Sequence, residues 1–255
     1  MAAAQKVYKP VEPNFVERQF FGFMYKTKQV RAADPVQHKD IIDSIYQICH
    51  DNNIKVPKKV LICDSNVVNA SVWPFSNSIN YTSGIIDRMQ PNQLKAVTAH
   101  ELSHFKHRGR DLLASATILI GTALAVSKIW HRAAGQFHQL THPIAGGMGR
   151  IANEVTQWYS GLFALSFYQR HIEAKADKDA IEFTNDPTSF RETMEELQAY
   201  KNEQITNKPQ SKSASDYVQK YALRPFRTHP KLEDRISFAR KIEEEQANQP
   251  TPERY

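Results

Sequence analysis

Apolar residues recur at helical spacing through residues 36–52, where Ile41, Ile42, Ile45, Ile48 and Cys49 share one face. The period then changes. Lys59-Val60-Leu61-Ile62-Cys63 is a short run rich in β-branched and apolar residues, and residues 67–73 form a second. Both read as strands, with Asp64-Ser65-Asn66 as the turn between them, and residues 78–81 supply a third. Pro91 suits the first turn of a helix that carries Ala96-Val97-Thr98-Ala99, Leu102 and Phe105. Residues 112–126 are apolar and uncharged, extended by Ile129-Trp130 beyond Lys128, and residues 158–168 are aromatic-rich. Gly135, Pro143, Gly146 and Gly147 lie between these two stretches, so residues of about 111–170 read as a hydrophobic helical hairpin joined by a loop. Asp186-Pro187 opens a helix to about Gln204, residues 202–215 read as a polar surface loop, and a last helix spans 230–246. The pattern is α+β, mainly helical, with a small sheet beside the helices.

Composition narrows this reading without changing it. A hydrophobic share of 41% and a charged share of 24% are globular values, and 255 residues suit one catalytic-sized domain over 37–246. Residues 1–36, with their prolines and the cluster Phe20-Phe21-Gly22-Phe23-Met24-Tyr25, are expected to pack across the core, with a lid as the alternative. Residues 247–255 read as a flexible tail. Cys49 and Cys63 lack metal-ligand spacing and suit core thiols in a reducing compartment. The net charge of +6 is dispersed, which argues against nucleic-acid binding and is compatible with an anionic membrane surface. The first residues lack the apolar core of a secretory signal, so the expected location is the cytoplasmic side.

The chemistry concentrates in His100-Glu101-Leu102-Ser103-His104. On a helix, i and i+4 stand one above the other, so His100 and His104 can hold one Zn²⁺. Glu101 can reach the open coordination side without ligating and accept a proton from a metal-activated water. A solvated helix face would also carry two histidines and an acid, but this helix is mostly uncharged, and polar groups inside a fold need partners. A catalytic zinc site needs a third protein ligand. Glu173-Ala174-Lys175-Ala176-Asp177 offers one, because Glu173 and Asp177 are again i and i+4. Glu173 can ligate while Asp177 reaches the far nitrogen of a ligand histidine and fixes its tautomer. By itself that segment, with Lys175, Lys178 and Asp179, reads as an ordinary charged helix face; the motif at 100–104 reverses that reading. His131, His138 and His142 have no helical ligand spacing and read as solvated loop residues.

His-Glu-Leu-Ser-His-Phe-Lys-His-Arg at 100–108, followed by Glu173-Ala-Lys-Ala-Asp177, resembles the HtpX-like zinc metallopeptidases, gluzincins related to the CAAX prenyl-protein endopeptidase. The resemblance covers roughly residues 37–245. Asn69-Ala70 looks like the family's Asn-Ala motif on the substrate-binding strand, and Thr228-His229-Pro230 with Leu232 and Arg235-Ile236 looks like its downstream His-Pro segment. Ser71-Val72-Trp73 and Gly109 depart from the family pattern without touching a ligand. The resemblance implies a zincin-like fold with a substrate-binding edge strand and one Zn²⁺ per chain. On that reading Asn69 anchors substrate backbone added to the 67–73 edge, its alternative being a strand-end asparagine. His229 donates to the oxyanion, its alternative being a helix N-terminal histidine.

The expected function is a zinc-dependent endopeptidase acting on protein or peptide substrates, with Glu101 as general base. The competing readings are a catalytically silent interaction module with a structural zinc, and a zinc hydrolase of a non-peptide bond. Residues 111–130 and 155–168 are expected to associate with a membrane surface or insert shallowly. A fully soluble hairpin and a true span are the alternatives; the run falls short of the about 20 apolar residues that spanning needs.

Overall fold

Strict alternation in one strand decides how the sheet is covered. In β2 (Lys59–Cys63), Val60 and Ile62 enter the main core, while Leu61 and Cys63 join a second cluster on the opposite face. A strand buried on both faces needs cover on both. The computed structural model describes residues 8–27, 29–73, 76–137, 143–206 and 230–248 of the chain. Among these, four strands pair in the order β1-β2-β4-β3, with β1 at Val30–Ala32, β3 at Ala70–Trp73 and β4 at Ser78–Thr82. β2 and β4 run parallel; β1 and β3 pair antiparallel at either edge. The fold is therefore α+β with a small mixed sheet, and the 67–73 stretch supplies an edge strand. That strand begins one residue after Asn69, because Asn69 turns into the Thr82 corner: its N–H donates to Thr82 Oγ1 at 3.1 Å and its carbonyl accepts from Thr82 N–H at 3.1 Å.

One face of the sheet meets α1 (Phe15–Tyr25), a helix that the aromatic cluster did not announce. Asn14 and Glu17 form a reciprocal capping box that starts it. Phe21 and Tyr25 pack with Val30, Leu61 and Cys63, and Phe20 packs against Trp73 with tilted rings whose centroids are 4.0 Å apart. Lys59 Nζ donates to Glu17 Oε2 at 2.7 Å, a buried pair that fastens α1 to β2. Buried pairs of this kind fix geometry more than they add stability.

The other face carries the helices. α2 (Lys39–Asp51) contributes Ile41, Ile42, Ile45, Ile48 and Cys49, as its period requires. α3 (Ser83–Arg88) is capped by the Thr82 hydroxyl, and a side chain at Gly84 would meet the Asn66 carbonyl at 2.6 Å. That close approach holds the 64–69 loop against the start of α3. α6 (Pro187–Thr206) packs on α7 (Leu232–Ala247), tied by Arg191 to Glu243 at 3.0 Å. α6 runs through Thr206, so the first residues expected in a loop from 202 extend the helix instead; residues 207–229 and 249–255 lie outside those described.

The metal helix continues without a break into the apolar stretch. α4 covers Pro91–Phe137 and α5 covers Pro143–Thr184. Gly135, Gly146 and Gly147, expected in a loop, are helical, which leaves only 138–142 outside the described residues between the two helices. Glycine is tolerated in a helix at a cost, and Pro143 stands at a first helical position where proline is accommodated. Two compact units separate among the described residues: Arg108–Ala174 forms one, and the stretches before and after it, with α7, form the other. Within Arg108–Ala174 the two arms touch, Leu119 lying 3.5 Å from where a Gly161 side chain would begin and Gln169 Nε2 lying 3.5 Å from Ser115 Oγ. Their outer faces are apolar: Leu113, Trp158 and Phe167 are 70, 72 and 66% exposed. Among the described residues one helix, in the stretch Pro91–Ile129, is by length and composition alone able to cross a membrane, and none of its most apolar stretch is buried.

Candidate metal centre and active site

Tertiary contacts hold the metal helix against the sheet before any ligand is considered. Tyr81 on β4 is fully buried, and its hydroxyl lies 2.9 Å from Thr98 Oγ1 on α4. Thr98 in turn donates to the Leu94 carbonyl at 2.8 Å, so the pair satisfies itself inside the core. Two residues further along α4 is His100.

His100 and His104 stand one turn apart, with ring planes at 85° and Nε2 atoms 3.2 Å apart. Two imidazoles sharing one tetrahedral zinc at roughly 2.0–2.1 Å would hold their nitrogens about 3.3 Å apart, so this spacing fits the ion. Glu173 on α5 completes a group whose three ligand atoms all lie within 4.8 Å of one another. Glu173 is buried, and an acid placed there requires a cationic or donor partner. Two imidazoles and one carboxylate are a recognised donor set for zinc.

Asp177 lies one turn beyond Glu173 and is 2% exposed. Its Oδ1 is 3.0 Å from His100 Nδ1, so the outer ring nitrogen faces a carboxylate while Nε2 faces the metal position. Arg235 of α7 holds the same carboxylate in bidentate fashion, Nε donating to Oδ2 at 2.7 Å and Nη2 to Oδ1. Burial alone would raise the Asp177 pKa, but His100 and Arg235 outweigh it and keep the carboxyl below its usual range. A second polar cluster sits one turn along. Ser103 Oγ donates to Asp179 Oδ2 at 2.6 Å, His107 Nε2 is 3.1 Å from the same oxygen, and Lys175 Nζ is 2.6 Å from His107 Nε2. These contacts clasp α4 to the turn of α5 that carries Asp177.

Glu101 is half-buried, and its negative charge helps raise the hydroxyl pKa values of Tyr25 and Tyr81, after burial as the main cause. Its carboxylate is therefore within electrostatic reach of both rings. Asn69 stands at the entry to edge strand β3, and its Nδ2 donates to Tyr25 Oη at 3.2 Å. His229 lies outside the described residues. Sequence reasoning noted Arg235 only as part of a downstream segment and missed its grip on Asp177. A buried aspartate beside a ligand histidine does call for a cation, but which arginine supplies it depends on how α7 packs.

The Peptidase family M48 description matches residues 35–243. The chain belongs to peptidase family M48. Among its relatives is a protein named "Protease HtpX homolog" from Campylobacter concisus, 26% identical over 249 residues that cover 88% of this chain and 84% of the relative. A "Protease HtpX" from Legionella pneumophila is 26% identical over 227 residues, covering 82% and 78%. A "Protease HtpX homolog" from Thermococcus sibiricus is 22% identical over 247 residues, covering 88% and 83%. The chain is thus an HtpX-like M48 metallopeptidase, and its family implies zinc, which the donor set fits. The family match begins at residue 35, so α1 and β1 lie ahead of it.

Proposed function

We propose that this M48 metallopeptidase is an endopeptidase of protein substrates, with His100, His104 and Glu173 holding one Zn²⁺ per chain. The convergence of those three ligand atoms within 4.8 Å beside Glu101 carries the reading. Bound there, zinc would supply Lewis acidity, polarising the scissile carbonyl and lowering the pKa of water toward 7. The remaining steps belong to the chain. Glu101 accepts the proton of the attacking water and delivers it to the leaving amine. Asp177, charged and held by Arg235, keeps His100 in the tautomer that presents Nε2. An extended peptide adds along β3, an edge strand among the described residues, where backbone hydrogen bonds align it and Asn69 anchors it. His229 donates to the developing oxyanion. Residues 37–246, hairpin included, are read as the catalytic domain, with the preceding segment, which lends β1 to the sheet, packed on it or acting as a lid.

The test measures zinc content and hydrolysis of an unfolded protein such as casein together, in the wild type and in His100→Ala. Both are expected to fall in the variant.

The hairpin of α4 and α5 is proposed to insert in a membrane from the cytoplasmic side. Its exposed Leu113, Trp158 and Phe167 support this. So do the hydroxyls of Ser115, Thr117, Thr122, Thr156 and Ser166, which each donate to the carbonyl four residues earlier and leave no demand on water. The uncharged run 112–127 is about 24 Å long as helix, short of a hydrocarbon core of about 30 Å, which favours shallow insertion. The intact protein is expected to sediment with membranes and to leave them partly on alkaline carbonate. Full recovery in the soluble fraction before any extraction would refute membrane attachment.

A further inference from the structure

Alternation along the sheet places three polar side chains on the face that α1 covers. Asn80 pairs with Leu61, whose side chain enters the α1 cluster, and Ser71 is the cross-strand partner of Asn80. Asn69 precedes Ser71 by two residues and shares its side. Tyr25, at the last turn of α1, brings its hydroxyl into the middle of this group. It lies 3.2 Å from Asn69 Nδ2, 3.2 Å from Asn80 Oδ1 and 3.1 Å from Ser71 Oγ.

The direction of these hydrogen bonds is fixed from one end. Asn80 Nδ2 donates to the Ser71 carbonyl at 2.7 Å, and a carbonyl can only accept. Asn80 therefore presents Oδ1 to Tyr25 and Ser71. Tyr25 has one proton, which Asn80 Oδ1 accepts at 3.2 Å, while the Ser71 hydroxyl, 3.1 Å away, is itself able to donate to Asn80 Oδ1 or to the Tyr25 oxygen. The Tyr25 oxygen is left to accept from Asn69 Nδ2. Tyr25 is 3% exposed and burial raises its pKa, so the hydroxyl keeps its proton across the working pH range. Asn69 is pinned at its backbone by Thr82 from both sides, which leaves its side-chain amide as the one adjustable part. With Nδ2 turned to Tyr25, Oδ1 is turned away and makes no hydrogen bond among the described residues.

We propose that Tyr25 is a positioning residue for substrate: its hydroxyl sets the amide of Asn69 so that Oδ1 meets a backbone N–H of the bound peptide. This rests on the reading of Asn69 as the substrate anchor. It gives α1, which precedes the family-matched residues, a part in binding. Without the hydroxyl, Asn69 samples both amide orientations and a peptide N–H meets a donor as often as an acceptor.

The test is casein kinetics on the full chain in four forms: wild type, Tyr25→Phe, Asn69→Ala and the double variant. Phenylalanine keeps the ring that stacks on Phe21 and removes only the hydroxyl. Tyr25→Phe is expected to raise KM about fivefold, the effect of one hydrogen bond, with kcat within about twofold and zinc content unchanged. In the Asn69→Ala background the same substitution is expected to change nothing further. A KM that rises in Asn69→Ala but not in Tyr25→Phe overturns the proposal and leaves the anchor reading intact. A KM unmoved by either overturns both, and additive effects in the double variant overturn the coupling. Should Tyr25→Phe fail to fold, side-chain amide exchange in the wild type still decides: one Asn69 amide proton is expected to exchange more slowly than the other, and equal rates overturn the proposal.

Discussion

Replacing Glu101 with glutamine is expected to lower casein hydrolysis about a thousandfold, the middle of the range for loss of a general base. Glutamine matches glutamate in size and cannot accept the water's proton. Because Glu101 stands outside the group formed by His100, His104 and Glu173, the variant is expected to retain wild-type zinc. Paired readings of zinc content and initial hydrolysis rate check this. A loss below tenfold would remove Glu101 from the proton path, and loss of zinc would make it a ligand instead.

The Asp177→Asn substitution is expected to weaken zinc binding by about 10–100-fold, as outer carboxylates of ligand histidines do. An asparagine can still accept from one side but has lost the charge that faces both His100 Nδ1 and Arg235. Arg235 would then be buried beside a neutral amide, so the variant is also expected to melt earlier. Competition for zinc against a chelator at fixed pH reads the first effect, and a thermal melt of the zinc-free protein reads the second. An unchanged zinc affinity with a lowered melt would assign Asp177 to holding α7 alone.

The sequence made some of this plain and hid the rest for physical reasons. β2 was readable because Val60, Leu61 and Ile62 suit a strand buried on both faces, and α2 because its isoleucines keep helical time. The metal helix and the ligand turn of α5 were readable because i and i+4 spacing is itself the geometry a metal requires. The start of α1 carried a signal in Asn14 and Glu17, but the aromatic residues after them face two ways. Phe21 and Tyr25 point to the sheet while Phe23 stays exposed, which obscures the period. β1 and α3 are too short to impose one. The grip of Arg235 on Asp177 spans 58 positions, and that of Tyr25 on Asn69 spans 44. Contacts at such separations follow from packing and leave no local pattern. Gly135, Gly146 and Gly147, expected in a loop and found in helices, mark a different limit: glycine permits a turn but does not compel one.

The most direct measurement of the central claim is zinc per chain together with casein hydrolysis, on the same preparations of wild type and His100→Ala. One zinc per wild-type chain, measurable hydrolysis, and the loss of both in the variant are the expected results. Hydrolysis that persists in a zinc-free His100→Ala would contradict the proposed mechanism. Stoichiometric zinc in a wild type that cleaves nothing would instead point to a structural site.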